Sequence, residues 1–193
     1  MYYSSNKGND CEKHLFCAPL LNPAGSTFGV STATKLTTEA GWHSCTVNLQ
    51  ESVMADVFCN ITTPLTMRLY KLNKETKELT QLSVITDSVH FDQRFNKPYY
   101  RESMTTPILH TIRSKDNQVD LHCAIYCPPG VTFNPSASVQ SFPPCAAIMS
   151  VYGGPHVQRV HNNWMLTADL RAQCLAQQGF VVIKCDNRGS YRR

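Results

Sequence analysis

No apolar run in this 193-residue sequence approaches the ~20 residues that a helix needs to cross a bilayer. Met1 is followed by Tyr-Tyr-Ser-Ser-Asn, without the basic and apolar regions of a secretory signal peptide, so a cytoplasmic location is expected and membrane contact is not. Basic residues are not clustered either. The net charge of +4 comes from scattered Lys and Arg, and the one adjacent pair is Arg192-Arg193. Without a stripe of cations to neutralise several phosphates, nucleic acid is not an expected partner. A disulfide framework is also missing, because nine cysteines at irregular spacings fit reduced thiols better. His122, Cys123 and Cys127 do not suit a metal: on a strand the two thiols face one side but lie ~13 Å apart. They read as small hydrophobes, as do Cys174 and Cys185 in their apolar surroundings, and no metal or cofactor is expected.

What is present is enough apolar content, 42% of residues, for one or two packed domains. From Met1 to about Ile85 the pattern is short strands between turns: Met1–Tyr3, His14–Pro19, Thr34–Thr37, Ser44–Leu49, Val53–Cys59, Met67–Leu72 and Leu79–Ile85. Such spacing suits a propeller, a sandwich or a barrel, and strand pattern alone does not choose among them. Asn60-Ile61-Thr62 spells a glycosylation sequon, read here as a bare loop at a strand end. Residues 86–106 turn polar and aromatic, with Pro98, Tyr99 and Tyr100, and read as a connection between domains. Pro107–Ile112 and Val119–Tyr126 then flank a Ser-Lys-Asp-Asn turn as a hairpin, and a long loop poor in charge runs from Val131 to Pro144.

The stretch from Ala146 to Ser190 organises the rest. An apolar run, Ala146 to Val151, breaks at Tyr152-Gly153-Gly154-Pro155; helix-period residues follow, then Gly179 and a second apolar run ending at Asp186. That order is strand, turn, helix, strand, the βαβ unit of a sheet buried on both faces. Leu166, Leu170 and Cys174 recur at four, and Ala168, Ala172, Leu175 and Ala176 widen the stripe into a face that could cover a sheet. Asn163 is the expected N-cap and Gly179 the stop, while Trp164 reads as packing for the first turn rather than as a pocket aromatic. The glycine turn falls at the carboxyl end of the first strand, where open α/β sheets hold their ligands.

Tyr152-Gly153-Gly154-Pro155 with Val157-Gln158, followed by Asp186-Asn187-Arg188-Gly189-Ser190, resembles the opening of the catalytic domain in the prolyl oligopeptidase (S9) family of serine peptidases. The resemblance is greatest to its dipeptidyl peptidase IV branch, above all that branch's cytosolic members. Tyr2-Tyr3, the run Glu12 to Leu15, Asn22-Pro23, His43-Ser44-Cys45 and Leu69-Tyr70-Lys71-Leu72 resemble, more loosely, the end of that branch's β-propeller. The resemblance implies a mixed fold. Terminal propeller blades would occupy 1–85, a connection 86–106, and the incomplete N-terminal part of an α/β-hydrolase domain 107–193. It also implies that Met1 begins inside an array whose earlier blades are missing. Tyr152 matches the family's oxyanion-hole tyrosine, and a phenol on a glycine turn could hold the charge that a carbonyl oxygen acquires in acyl transfer. The plainer alternative is a tyrosine packed under its loop. Gly153, Gly154 and Pro155 are read as turn-forming, the glycines giving the backbone freedom that a Cβ would deny wherever φ is positive. Substrates would be peptides with an accessible N-terminus, and a homodimer is possible.

The nucleophile is missing from the sequence. A hydrolase of this fold needs a G-x-S-x-G elbow followed by an acid and a histidine, and no such elbow occurs. Ser190 follows Gly189 but matches the loop upstream of the family's nucleophile, and is given no catalytic role. His156 and His161 flank the polar loop; contact with substrate is one reading, and solvent exposure, the default for loop histidines, is the expected one. The expectation is an inactive piece of a serine dipeptidyl peptidase, prone to aggregate because the Ala146–Val151 and Val181–Cys185 strands lack neighbours at their edges. The alternatives are a non-catalytic relative that binds or dimerises, and an α/β domain whose turn contacts a small anion.

Overall fold

The computed structural model describes residues 1–19, 33–86, 104–134 and 144–191, and it divides into two units, Met1–Asn96 and Lys97–Arg193. Asn22-Pro23, Pro98-Tyr99-Tyr100, Arg192-Arg193, most of the 86–106 connection and the middle of the Val131–Pro144 loop lie outside the described residues.

The first unit is two antiparallel sheets. One runs β1 (Tyr2–Ser5), β2 (His14–Cys17), β3 (Thr34–Lys35); the other is a meander of β4 (Trp42–Asn48), β5 (Val53–Cys59), β6 (Thr66–Leu72) and β7 (Leu79–Thr86). Period-two alternation decides which side chains go inward. On β5, Met54, Asp56 and Phe58 are buried, and they stand opposite Val47, Cys45 and His43 of β4 and Tyr70, Arg68 and Thr66 of β6. The core joins Leu15, Cys17, Leu36 and Met54, with Tyr2, Val47, Tyr70 and Leu79 packed against it. Fully burying Met54 or Phe58 contributes roughly 1.5–3 kcal/mol apiece. The two sheets are stitched at the Lys13–Trp42 bridge, where His43 N–H donates to the Lys13 carbonyl at 2.9 Å. Asn60 uses its side chain as a turn: Oδ1 accepts from the backbone N–H of Thr62 and Thr63 at 2.9 and 2.7 Å.

The second unit carries a mixed sheet in the order β10-β11-β9-β8. Strands β8 (Ile108–Arg113) and β9 (Asp120–Tyr126) form the expected hairpin. Asn117 takes the left-handed conformation at φ 56° and Ser114 Oγ donates to Asp116 Oδ1 at 2.6 Å. Strand β10 (Ala147–Val151) crosses through the helical segment to β11 (Val181–Cys185), which lies parallel to it and antiparallel to β9. Among the described residues β10 is an edge and β11 is interior. This corrects the expectation that both strands lack neighbours. The exposed Ala147, Met149 and Val151 make β10 the strand to which that expectation applies.

The helical segment also departs from the sequence reading. It is two helices, α1 (Trp164–Thr167), capped by Asn163, and α2 (Leu170–Gln177), capped by Asp169. Asn163 Oδ1 accepts from Met165 N–H at 2.9 Å and Asp169 Oδ1 from Ala172 N–H at 3.1 Å. The second cap resets the helical phase, so the Leu166, Leu170, Cys174 stripe is broken after Leu166: Leu170 is 66% exposed and Cys174 is also exposed. The buried face is Leu166 and Thr167 of α1 with Ala172, Gln173 and Ala176 of α2. Gln173 is tolerated there because its amide is satisfied, donating to the carbonyls of Thr105 and Thr167 and accepting from Thr105 N–H.

Candidate functional site

Two features of the second unit converge at the carboxyl ends of its parallel strands. Tyr152 follows β10 directly and its side chain is 44% exposed, so the phenol is not sealed under its loop. The next two residues act in different ways. Gly153 sits at φ 76°, where a Cβ is strained. Gly154 differs: its φ is not positive, and a Cβ there would lie 2.7 Å from the Tyr152 ring and 3.2 Å from its hydroxyl, so the missing side chain makes room for the phenol in this position. Pro155 and His156 are exposed.

The loop beyond the turn is tied to the end of β11. Asp186 is 3% exposed, and its two carboxylate oxygens accept from the backbone N–H of Arg159 at 2.8 Å and of Val160 at 3.0 Å. A charged acceptor satisfying two amides holds the segment more firmly than neutral bonds would. Gln158 adds a bond from Nε2 to the Val160 carbonyl at 2.9 Å. His161 is not the solvent histidine expected: it is half-buried, and burial pushes its pKa below the usual imidazole value. Asp186 was missed as a site-building residue, although an acid closing an apolar strand before Asn-Arg-Gly was a readable signal.

Around this strap the charges are paired. Lys184, 4% exposed on β11, forms an ion pair with Asp169 and lies 5.4 Å from the Tyr126 ring centre, while the Tyr126 hydroxyl donates to the Leu166 carbonyl. That pairing holds the Asp169 carboxyl below its usual range, against the opposing effect of burial. Ser190 is buried and its hydroxyl donates to Asn187 Oδ1 at 3.1 Å, an arrangement that closes the loop after β11 rather than presenting a nucleophile. Arg188 pairs with Asp116 of the hairpin turn.

The first unit holds a second polar cluster, which sequence reading did not find. His43 Nδ1 faces Asp56 Oδ2 at 2.7 Å and Nε2 faces the Glu39 carbonyl at 2.8 Å. The Cys45 thiol, pushed up by burial and by Asp56, donates to Asp56 Oδ1 at 3.4 Å. His14 sits 5.1 Å from the His43 ring, bonded to Glu12 at 2.8 Å and to Thr37 Oγ1 at 3.0 Å. Burial pushes its pKa down, aided by Lys35 and His43 and opposed by Glu12. A cleft of about 530 Å³ opens beside this cluster, walled in part by Thr37, His43, Asp56 and Tyr70. The described residues hold no group of three or more His, Cys, Asp or Glu side chains that could bind a metal ion, and no helix long and apolar enough to cross a membrane.

No protein-family model matches the chain. Individual proteins do: human dipeptidyl peptidase 8 is 26% identical over all 193 residues, and mouse dipeptidyl peptidase 8 is 25% identical over the same span. That distant likeness places the chain in the broad S9 peptidase superfamily. The chain spans 19% of the length of each of these S9 relatives. At this identity the likeness does not separate one S9 branch from another. The mixed sheet and the antiparallel sheets are consistent with part of a propeller and hydrolase arrangement.

Proposed function

We propose that the chain is part of a serine dipeptidyl peptidase of the dipeptidyl peptidase IV branch, closest to its cytosolic members. It would comprise terminal propeller strands and the start of an α/β-hydrolase domain. Tyr152 is then the side-chain donor of the oxyanion hole. The observation that carries this reading is the exposed phenol directly after β10, seated over Gly154, beside a loop held by Asp186. Strand carboxyl ends are where α/β sheets hold ligands, and a donor aimed at a developing oxyanion contributes about 3 kcal/mol to the transition state. In this reading a peptide with a free N-terminus is cut after its second residue, typically proline, by a serine supplied from outside these 193 residues. In this reading the parent is cytoplasmic, forms a homodimer in keeping with its branch, and takes neither nucleic acid nor membrane as partner.

The test starts with transcript sequence beyond the Arg193 codon. An in-frame G-x-S-x-G elbow within about a hundred residues supports the peptidase. In that longer protein Tyr152→Phe lowers kcat by about 10²–10³ with KM little changed; an unchanged kcat removes Tyr152 from the mechanism. The 193-residue chain alone is not labelled by a fluorophosphonate probe, and specific labelling would refute the site assignment. A second reading is a non-catalytic relative acting in binding or dimerisation. A stop codon supported by transcript evidence selects it.

A further inference from the structure

Strands β9 and β11 put two thiols face to face. Cys123 and Cys185 are direct partners across the antiparallel pair, and both are free thiols. The neighbouring rung is hydrogen-bonded, Asp186 N–H donating to the His122 carbonyl at 3.0 Å. Rungs alternate along an antiparallel ladder, so Cys123 and Cys185 occupy a non-hydrogen-bonded rung, where Cα atoms come to about 4.5 Å and side chains are closest. A disulfide spans Cα separations of about 4.4–6.8 Å, so the backbone need not open to admit one. The rung lies at the short end of that range, where geometry stores strain and makes the bond easier to reduce.

The other strand cysteines are differently placed. Cys17 stands opposite Tyr2 and Thr34, Cys45 opposite Asp56 and Cys59 opposite Trp42. Among the described strand pairs, cysteine meets cysteine at this rung alone. Cys185 is half-buried and Cys123 is fully buried, so an oxidant reaches Cys185 first.

We propose that Cys123 and Cys185 form a reversible disulfide, a redox-modification site independent of the peptidase reading. Hydrogen peroxide oxidises the Cys185 thiol to a sulfenic acid, and its other oxygen leaves as water. The Cys123 sulfur then attacks the Cys185 sulfur; the S–S bond forms, the S–O bond breaks, and the oxygen departs as a second water with the Cys123 proton. Two thiols have given two electrons to one peroxide. The second step is the slow one at neutral pH, because burial and the neighbouring thiol push Cys123 up to about 12; it quickens as pH rises. The bond forms one residue before Asp186, whose carboxylate holds Arg159 and Val160, so oxidation stiffens the strand end from which the loop after the glycine turn is hung.

The experiment treats the folded chain with hydrogen peroxide, alkylates the remaining thiols in denaturant, and maps peptides by mass spectrometry. The expected product is one dominant cross-linked pair, Cys123 with Cys185, lost on adding dithiothreitol. The same oxidation in urea gives mixed pairings. Cys185→Ser removes the cross-link and leaves Cys123 alkylatable, whereas Cys123→Ser leaves a Cys185 sulfenic acid that dimedone traps. The proposal is overturned if both cysteines are recovered alkylated after peroxide has oxidised other thiols. It is equally overturned if Cys185 proceeds to sulfinic acid with Cys123 free, or if the folded chain gives the same mixture as the unfolded one.

Discussion

The two units differ in where their most prominent polar side chains sit. In the first, Glu12, His14 and Thr37 form one inward hydrogen-bonded group and His43, Cys45 and Asp56 another, with the His14 and His43 rings 5.1 Å apart between them. In the second, Gln173 and Lys184 are also buried and partnered, but Asp186 at a strand end reaches out to a loop, and Tyr152 is left exposed on its glycine turn. Both histidine rings of the first cluster lie below 4% exposure. A buried group whose partners are already supplied serves the fold. An exposed phenol beside a strapped loop costs the fold little and is available to a ligand.

That contrast breaks if the inward cluster proves dispensable. Asp56→Ala leaves the His43 ring nitrogen and the Cys45 thiol facing an empty buried site, and the expected loss is about 3 kcal/mol, read as a shift of the urea midpoint. Trp42 lies in the first unit and Trp164 in the second, and they are the two tryptophans of the chain. Fluorescence of Trp42→Phe and Trp164→Phe backgrounds therefore follows each unit by itself. Asp186→Ala strips the acceptor from two backbone amides, with an expected loss of about 2–3 kcal/mol seen by the Trp164 reporter. A loss of similar size at Trp42 would contradict the local role.

Acid sharpens the comparison further. His14 is held below the usual imidazole range, so the unfolded chain binds its proton more readily than the folded one. Its stabilising contribution is complete above about pH 6.5 and is lost as pH falls from there through the folded value. The charges facing it are Glu12 on its own segment, Lys35 on β3 and His43 on β4, with Asp56 of β5 behind His43. The expected outcome is an acid-side fall in the Trp42 midpoint that His14→Gln flattens. His161 carries the same sign in the second unit and is followed through Trp164. The smallest effect belongs to Tyr152: Tyr152→Phe changes stability by less than about 0.5 kcal/mol, since the hydroxyl is on the exposed side of the contrast. A larger loss would mean that the phenol serves the fold.

Much of the first unit was legible because alternation of apolar and polar residues is a local property. The strands read around Val53–Cys59 and Leu79–Ile85 form with ends within a residue of those expected. The hairpin around Ser114 and the Asn163 cap were legible for the same reason. The break at Asp169 was not: its side chain caps α2 while bonding Lys184 from β11, fifteen residues away, and helix periodicity carries no trace of that partner. The His14 and His43 cluster was hidden likewise, since Thr37 and Asp56 are distant in sequence from the rings they meet.

The sequence by itself determined where strands lie to within about two residues, that a glycine turn interrupts an apolar run at Tyr152, and that no G-x-S-x-G elbow is present. These follow from side-chain spacing and backbone freedom, which act over a few residues. Only the tertiary structure decided that β11 is interior and β10 an edge, that Gly154 makes room for a ring rather than for a positive φ, that Asp186 holds the loop, and that Cys123 meets Cys185. Each of those depends on strand order and register, and register is set by burial of whole faces against partners far along the chain.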